Sequence, residues 1–409
     1  MYISRDIEAR IAELTEQFFV LILTGPRQVG KTTLLTHLSQ NMHDKRTIIS
    51  LDDLELRAFA QADPHGFLAE YRPPLLIDEV QYAPELFNYL KIEVDRRKSP
   101  GDYWLTGSQT YRLMRGVSES LVGRIGILQL GSMSQNELYN HFDTPHFDYT
   151  VREAQSRVDA TEPLTRAQMY QRVFDGGMPR VHTVAQLDRY VFFDSYVKSY
   201  IERDVKYLEP SIDTVGFLQF LDVVAARNGQ LLNVDGIARD ARLDRKQARI
   251  WLEVLETLGV IYYVRPYSNN LLTRTVKTPK LYFFDTGFVC HLLNIRSVQE
   301  LMASNAAPTL YENYLINQLA LSRTNSACSS TLYYYRDYDA REIDWVEVDG
   351  NGVHPIEIKE TSSPSPHLTR AFRALDRGAT VRGKGAIIST SSTVQLLDNR
   401  TVTLPAWCV

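Results

Sequence analysis

Cysteine is scarce in this sequence, and the three residues present, Cys290, Cys328 and Cys408, lie far apart. Because none belongs to a Cys-x-x-Cys pair, the sequence offers neither a disulfide framework nor a thiolate zinc site. Long apolar runs are also missing, since none approaches the roughly 18 residues of a membrane-spanning helix. The N-terminus lacks the basic and then apolar pattern of a secretion signal. We therefore expect a cytoplasmic protein with no membrane segment.

A large excess of charge of one sign is absent as well, because 45 Lys and Arg against 49 Asp and Glu give a net charge of -4. This balance excludes a whole-chain attraction to nucleic acid, although it leaves room for a local basic surface. The hydrophobic fraction of 44% and the charged fraction of 23% are those of a soluble globular protein. A chain of 409 residues is long enough for about two to four domains.

The most specific motif lies between residues 18 and 38. An aliphatic run at residues 18–23 predicts a buried strand, and residues 31–38 have the apolar spacing of a helix. The loop between them fits the phosphate-binding pattern G-x-x-x-x-G-K-S/T with Gly25, Pro26, Arg27, Gln28, Val29, Gly30, Lys31, Thr32 and Thr33. Backbone N–H groups of such a loop surround phosphates, the lysine contacts the outer phosphates, and the first threonine hydroxyl contacts Mg²⁺. We therefore predict a nucleoside triphosphate site.

Two carboxylates follow the apolar run at residues 73–77. This run predicts a second buried strand of the same sheet, and Asp78 and Glu79 come directly after it. Asp78 is expected to hold Mg²⁺ through water, and Glu79 to polarise the water that attacks the terminal phosphate. The alternative is a strand end with two solvated acids.

Two further positions are candidates for the same site. Ser108 or Gln109, at the end of a predicted strand at residues 103–109, would orient water near the terminal phosphate, although Ser108 is also suited to an ordinary helix N-cap. Arg124, before a fifth predicted strand, would stabilise charge during transfer on its own nucleotide or on a neighbouring subunit's. An arginine in this position is equally typical of a surface salt bridge.

The first part of the chain therefore predicts an α/β fold with a parallel, doubly wound sheet and the nucleotide at the carboxyl ends of its strands. We assign residues 1–133 to this core and residues 134–210 to a helical lid over the nucleotide. Within the lid, Arg180 follows the compact turn Gly176-Gly177-Met178-Pro179 and is either a phosphate sensor or a structural residue.

Residues 211–270 change to a pattern of three short helices and a strand, which predicts a winged helix. On the third helix Arg245, Lys246 and Arg249 lie on the face opposite Trp251 and Leu252. A basic face of this kind suits phosphates in a nucleic-acid groove. A packing module with a solvated basic face explains the pattern equally well.

Residues 271–409 show a helix, three strands, a second helix and a further strand. Glu312 lies on the first helix, Asp344 at a strand centre, and Glu357 and Lys359 on one face of the next strand. This arrangement matches a metal-dependent nuclease core, in which Asp344 and Glu357 bind Mg²⁺, Lys359 orients water and Glu312 completes the acidic cluster. An inactive nuclease-like binding domain and an unrelated fold are the alternatives.

Nearly the whole chain resembles a family of prokaryotic AAA-type ATPases that pair an N-terminal P-loop core with a C-terminal domain of unknown function. The resemblance rests on segments 23–33, 76–81, 106–109, 123–124, 177–179 and 284–287. It implies ATP and Mg²⁺ binding, ATP hydrolysis, a winged helix after the ATPase core and a C-terminal region similar to restriction endonucleases. It further implies that Arg124 is an arginine finger and that Gly177-Met178-Pro179 is a lid motif near the adenine. Ser108 departs from the family pattern, since many AAA proteins have Asn there.

Two functions remain open at the sequence level. The first is an ATPase whose nucleotide state drives a DNA- or RNA-directed C-terminal module, with self-association through the ATPase core. The second is an ATP-dependent switch that binds a protein partner and keeps the nuclease-like region as an inactive scaffold.

Overall fold

The computed structural model describes residues 2–41, 45–108, 121–209, 212–268, 277–326, 330–377 and 380–409. Gln109 and Cys328 lie outside these ranges. The chain forms two compact units, one of residues 1–132 with 253–260 and the other of residues 133–252 with 261–409. The division of the chain into a core at residues 1–133, a lid, a winged helix and a C-terminal domain stays a prediction. None of the described helices is long and apolar enough to cross a membrane.

The first unit is built on a five-stranded sheet in which all neighbouring strands are parallel. Its order is β2-β3-β4-β1-β5, with β1 Val20–Thr24, β2 Thr47–Ser50, β3 Leu75–Asp78, β4 Tyr103–Gly107 and β5 Ile125–Gln129. Every residue of β1, β3 and β4 is buried, which explains their continuous apolar sequences. The predicted parallel α/β sheet is therefore confirmed.

The first helix of this unit precedes β1, and the others lie between successive strands. They are Glu8–Thr15, Lys31–Asn41, Leu54–Ala62, Pro64–Glu70 and Leu86–Arg97, with a 3₁₀ turn at Val80–Tyr82. One hydrophobic cluster joins the sheet to the helices and includes Ile22, Ile77, Phe87 and Leu105. Because all strands point the same way, the carboxyl ends of β1, β3 and β4 lie at one edge of the sheet.

Helices dominate the first half of the second unit. They are Val151–Asp159, Arg166–Asp175, Pro179–Thr183, Arg189–Tyr196, Glu202–Leu208, Thr214–Ala225 and Val234–Asp240, with π turns at Asn136–Asn140 and Val197–Ile201. The helix Arg245–Thr257 begins in this unit, and its residues from 253 onward belong to the first unit. The second π turn connects the helices Arg189–Tyr196 and Glu202–Leu208.

A seven-stranded mixed sheet dominates the other half, in the order β12-β11-β10-β9-β8-β6-β7. Its strands are β6 Ile261–Pro266, β7 Lys280–Phe283, β8 Thr331–Arg336, β9 Glu342–Asp349, β10 Gly352–Lys359, β11 Gly385–Ser389 and β12 Thr401–Pro405. Strands β8, β9 and β10 form an antiparallel meander, and β10, β11 and β12 are parallel. β6 and β7 form an antiparallel pair. The sequence reasoning missed β12.

The remaining helices of the second unit are Thr286–Leu292, Val298–Ala303 and Ala307–Asn325, with 3₁₀ helices at Pro366–Arg377 and Ala406–Cys408. The helix predicted at residues 367–376 is thus a 3₁₀ helix rather than an α-helix. The order of one helix, three strands, a second helical segment and a strand agrees with the expected order of elements in this region.

Candidate functional site

The phosphate-binding loop connects β1 to the helix Lys31–Asn41. Gly25 has φ +143°, and a Cβ added there would lie 2.0 Å from the Leu130 carbonyl oxygen, so this position accepts only glycine. Gly30 also has positive φ, at 95°. The Lys31 ammonium group is buried and donates to the carbonyl oxygens of Gly25 and Pro26 at 2.9 and 2.8 Å. The loop therefore holds its own lysine over the turn where phosphates are expected.

Asp78 ends β3 and is held by hydroxyl groups from three elements. Thr32 Oγ1 donates to Asp78 Oδ1 at 2.5 Å, and Thr106 Oγ1 donates to the same oxygen. Ser50 Oγ donates to Asp78 Oδ2 at 3.2 Å. The structure thus brings together the two predicted Mg²⁺ ligands, Thr32 and Asp78, whose hydroxyl and carboxylate oxygens are the donors that Mg²⁺ prefers.

Sequence reasoning missed Ser50 and Thr106 at this site. The available signal was their position, because both lie at the carboxyl ends of strands that flank β3 in the sheet. Only the strand order makes these ends neighbours.

Glu79 follows Asp78 and adopts a left-handed backbone conformation with φ 57° and ψ 43°. Its Oε1 forms an ion pair with Arg27 Nη1 at 3.1 Å. Its Oε2 accepts hydrogen bonds from Gln81 Nε2 and, at 3.4 Å, from Ser108 Oγ. Since Glu79 and Arg27 are both buried, the carboxylate is enclosed by these polar groups.

Ser108 lies beside Glu79, as expected for the end of β4 next to the end of β3. It also accepts a hydrogen bond from Gln81 Nε2 at 3.2 Å. Gln109, the other candidate at this strand end, lies outside the described residues. The water-positioning role of Ser108 stays a prediction.

Arg124 forms a bidentate ion pair with Asp95 of the helix Leu86–Arg97. The distances are 2.6 Å from Nε to Oδ1 and 3.1 Å from Nη2 to Oδ2. This is the surface salt bridge that formed the alternative to an arginine finger. Within a single chain Arg124 is therefore engaged with Asp95, and a role on a neighbouring subunit's nucleotide stays a prediction.

Two motifs of the family resemblance contact each other in the second unit. The buried Asp285 carboxylate accepts from Gly177 N at 2.7 Å and from Phe288 N at 2.8 Å. Thr286 Oγ1 donates to the Val173 carbonyl oxygen at 2.7 Å. Segments 177–179 and 284–287 thus hold two helices together, which gives them a structural role. Their expected lid role near the adenine stays a prediction, as does phosphate sensing by the exposed Arg180.

The helix Arg245–Thr257 shows the predicted division into faces over its first two turns. Arg245, Lys246 and Arg249 are exposed, whereas Trp251 packs against Phe217 with ring centroids 5.4 Å apart. Arg245 Nε lies 3.3 Å from an Asp235 carboxylate oxygen, so part of this basic surface is neutralised locally.

In the second sheet, Asp344 of β9 and the pair Glu357 and Lys359 of β10 converge. Lys359 Nζ lies 2.8 Å from Glu357 Oε1 and 3.8 Å from Asp344 Oδ2. Ile358 N donates to Asp344 Oδ2 at 2.9 Å. Burial, together with the charges of Glu357 and Glu312, raises the pKa of Asp344 well above its usual value. Alternation along β10 predicted only that Glu357 and Lys359 share one face, and the approach of Asp344 comes from the pairing of β9 with β10.

Glu312 is engaged by residues that the sequence reasoning missed. Its Oε1 accepts from Tyr282 OH at 2.6 Å and lies 3.1 Å from Lys280 Nζ. Lys280 Nζ also lies 2.6 Å from Glu342 Oε1. Burial lowers the pKa of Lys280, but the surrounding carboxylates of Glu312, Asp344 and Glu342 outweigh it and raise that pKa overall.

This arrangement does not fit a divalent cation as it stands. Lysine ammonium groups contact Glu312, Glu342 and Glu357, and the described parts of the chain contain no group of three or more His, Cys, Asp or Glu able to hold a metal ion. The metal role of Asp344 and Glu357 stays a prediction. The sequence contained one signal for Lys280. Lys280 and Tyr282 are two residues apart on the short strand β7, so their side chains lie on the same face.

Comparison with known proteins identifies three segments of the chain. Residues 17–139 match a family model described as an AAA domain, residues 166–299 match a domain of unknown function (DUF8612), and residues 309–409 match another (DUF4143). Uncharacterised proteins of Mycobacterium tuberculosis and Mycobacterium bovis are each 29% identical over 372 residues, which cover 90% of this chain and 76% of theirs.

Among solved structures, a Walker-type ATPase of Pyrococcus abyssi is 15% identical with a TM-score of 0.41, covering 71% of this chain and 96% of its own. A variant of Thermotoga maritima RuvB is 17% identical with a TM-score of 0.33, covering 64% of this chain and 90% of its own. At these TM-scores the likeness carries no argument about function. The family-model matches support an AAA-type P-loop ATPase domain near the N-terminus, together with a C-terminal region that matches the domain of unknown function DUF4143.

Proposed function

We propose that this protein binds ATP with Mg²⁺ and hydrolyses it. The observation that carries the proposal is the contact of Thr32 Oγ1 with Asp78 Oδ1, because it joins the phosphate-binding loop to the end of β3 beside Glu79. Thr32 and Asp78 would hold Mg²⁺, which neutralises phosphate charge when bound. The backbone N–H groups of the loop, which Pro26 lacks, and the Lys31 ammonium group would bind the phosphates.

In the hydrolytic step, a water oxygen bonds to the γ-phosphorus while the bond from that phosphorus to the β,γ-bridging oxygen breaks and ADP leaves. The Glu79 carboxylate takes a proton from the attacking water, and Ser108 Oγ orients that water. Arg124 of a neighbouring copy would stabilise the charge that develops in the transition state.

The test is to compare ATP binding and turnover of the wild type with those of two variants. Lys31→Ala should lose tight ATP binding, because the loop no longer supplies a charge for the outer phosphates. Glu79→Gln should keep binding and lower turnover by about 10²–10⁴-fold, the usual contribution of a general base. Normal turnover by Glu79→Gln would contradict the assignment of Glu79 as the general base. No ATP binding by the wild type would contradict the proposed ATP site.

We further propose that the nucleotide state controls a nucleic-acid-directed module made of the winged helix at residues 211–270 and the region at residues 271–409. The exposed side chains of Arg245, Lys246 and Arg249 support this proposal. Replacing all three with Gln should weaken duplex DNA binding and reduce its salt dependence, since fewer counterions are released. Arg96→Gln, an exposed arginine of the first unit, is the control. No DNA affinity at low salt would favour a protein partner.

The contacts of Lys280 favour a second candidate, a protein-binding switch with an inactive nuclease-like scaffold. Its ammonium group lies between Glu312 and Glu342, where a nuclease would leave its carboxylates open to a metal. Cleavage of single-stranded, duplex and branched DNA and of RNA should be measured with Mg²⁺ or Mn²⁺, with and without ATP. Cleavage that Lys359→Ala abolishes would establish the nuclease, whereas no cleavage by a preparation that hydrolyses ATP would support the scaffold.

A further inference from the structure

Arg27 is a residue of the phosphate-binding loop that contacts the proposed general base, Glu79. It belongs to the loop, between Pro26 and Gln28, yet its guanidinium points to the end of β3. Nη1 lies 3.1 Å from Glu79 Oε1, and Nη2 donates to Tyr82 OH at 2.9 Å. Only 8% of the residue is exposed, so solvent screens this ion pair weakly.

The contacts of Glu79 in this structure oppose its proposed role as general base. Arg27 engages Oε1, while Gln81 and Ser108 engage Oε2. A general base must accept a proton from a water within hydrogen-bond distance. The Arg27 cation at Oε1 opposes the arrival there of a second positive charge, the proton taken from water, so Glu79 acts best after Arg27 moves away.

Arg27 is the partner that a nucleotide can remove. Gln81 and Ser108 follow the ends of strands, whereas Arg27 lies in the loop whose N–H groups would surround the phosphates. A triphosphate carries more negative charge than one carboxylate, and two oxygens of one phosphate can accept both hydrogen bonds of a planar guanidinium. The left-handed backbone of Glu79 is a conformation that residues with side chains rarely adopt, which fits a residue held in place by its contacts.

We propose that Arg27 is a positioning residue that exchanges partners when the nucleotide binds. Without nucleotide, its guanidinium pairs with Glu79 and blocks Oε1. With a triphosphate bound, it pairs with a phosphate and releases Oε1 towards the attacking water. The inference rests on the proposed ATP site and adds a coupling between triphosphate binding and activation of the base.

Binding alone tests this exchange, because breaking the Arg27–Glu79 pair opposes nucleotide binding. The Kd for a non-hydrolysable ATP analogue with Mg²⁺ should be measured by calorimetry for the full chain, with Tm as a check of folding. Glu79→Gln should lower Kd by at least about five-fold, since a neutral side chain holds the guanidinium less strongly. Arg27→Met should raise Kd by a similar factor.

The double variant Arg27→Met with Glu79→Gln separates the exchange from simple removal of a negative charge. If Arg27 exchanges partners, Glu79→Gln lowers Kd only when Arg27 is present, so the double variant binds like Arg27→Met. The matched control is Arg57→Met, because Arg57 lies over the Tyr82 ring at 3.8 Å and donates to the Leu51 carbonyl oxygen. In the Arg57→Met background the effect of Glu79→Gln should persist.

The exchange would be overturned if Glu79→Gln lowered Kd equally in the wild type and in Arg27→Met. It would also be overturned if Arg27→Met alone left Kd unchanged. Either result would leave the proposed ATP site intact. No binding of the analogue by the wild type and by Glu79→Gln would instead contradict the ATP site itself. Arg27→Gln repeats the comparison if Arg27→Met lowers Tm below the range of the measurement.

Discussion

Lys280 is a buried lysine whose ammonium group contacts the carboxylates of Glu312 and Glu342. A buried ion pair contributes little by itself, but removing one member leaves charged partners without compensation. We predict that Lys280→Met lowers the free energy of unfolding by about 3 kcal/mol, and that adding Glu312→Gln restores part of the loss. Urea unfolding measures both values. Lys246→Met, at an exposed position, is the control and should change stability by less than about 0.5 kcal/mol.

The control also identifies the contradictory outcome. If Lys280→Met is no less stable than Lys246→Met, Lys280 is not needed to compensate the negative charges of Glu312 and Glu342.

The surroundings of His146 also change its pKa. Burial, and then the charges of Arg323 and Arg157, lower the pKa of His146 to about 3. In the unfolded chain its pKa is near its ordinary value of 6.5. The folded state therefore binds the proton less readily than the unfolded state. His146 does not reduce the free energy of unfolding above pH 6.5, and this free energy falls as the pH decreases from 6.5 towards 3.

We therefore predict that the wild type loses more stability than His146→Gln between pH 7 and pH 5. The difference should be about 1–2 kcal/mol, since each pH unit contributes at most about 1.4 kcal/mol per proton. Urea unfolding at both pH values measures it, with the exposed His367→Gln as control. Parallel losses in the wild type and His146→Gln would show that His146 does not titrate in this way.

At the scale of elements, the helix Thr286–Leu292 is fixed by Asp285, which is its N-cap. The same carboxylate accepts a hydrogen bond from Gly177 N at the turn after the helix Arg166–Asp175. Gly176 has φ +68°, and a Cβ there would lie 2.5 Å from Asp285 Oδ1, so the turn requires glycine. Two elements distant in sequence therefore depend on a single side chain.

We predict that Asp285→Ala lowers the free energy of unfolding by about 2–4 kcal/mol, because a cap and a buried acceptor are lost together. Asp285→Asn keeps one acceptor oxygen and should lose less. Ser297→Ala, which removes only the cap of the helix Val298–Ala303, is the control at about 1 kcal/mol. Equal effects of Asp285→Ala and Ser297→Ala would indicate that Asp285 is an ordinary cap.

At the scale of the whole molecule, Arg124 is the residue whose proposed role involves a second copy of the chain. In one chain it pairs with Asp95 on the surface, so a contribution to hydrolysis requires it to leave Asp95 for its own nucleotide or for that of a second copy. We predict that Arg124→Ala lowers turnover by about 10³-fold or more if Arg124 acts as a finger in trans. Mixing Arg124→Ala with Lys31→Ala chains should then restore part of the turnover, because each chain supplies what the other lacks.

Asp95→Ala is the matched control for this experiment. It removes the surface ion pair but keeps Arg124, so its turnover should stay close to that of the wild type. No restoration in the mixture would place Arg124 in its own subunit or leave it with a structural role only.

The sequence alone determined the local features of this protein. The phosphate-binding loop, the parallel sheet and the side chains at its strand ends follow from contiguous patterns, since a strand, a glycine turn and a helix N-terminus are set by neighbouring residues. Alternation along β10 also places Glu357 and Lys359 on one face. Their approach to Asp344 was not determined by the sequence, because it depends on the pairing of β9 with β10.

The tertiary structure alone decided which distant side chains neutralise or engage these groups. Thr106 reaches Asp78 because β4 lies beside β3, Lys280 reaches Glu312 from another element, and Arg124 reaches Asp95 on a neighbouring helix. Such partners have no fixed spacing in sequence, because a buried charge selects whichever opposite charge or hydroxyl the packing of elements brings within reach.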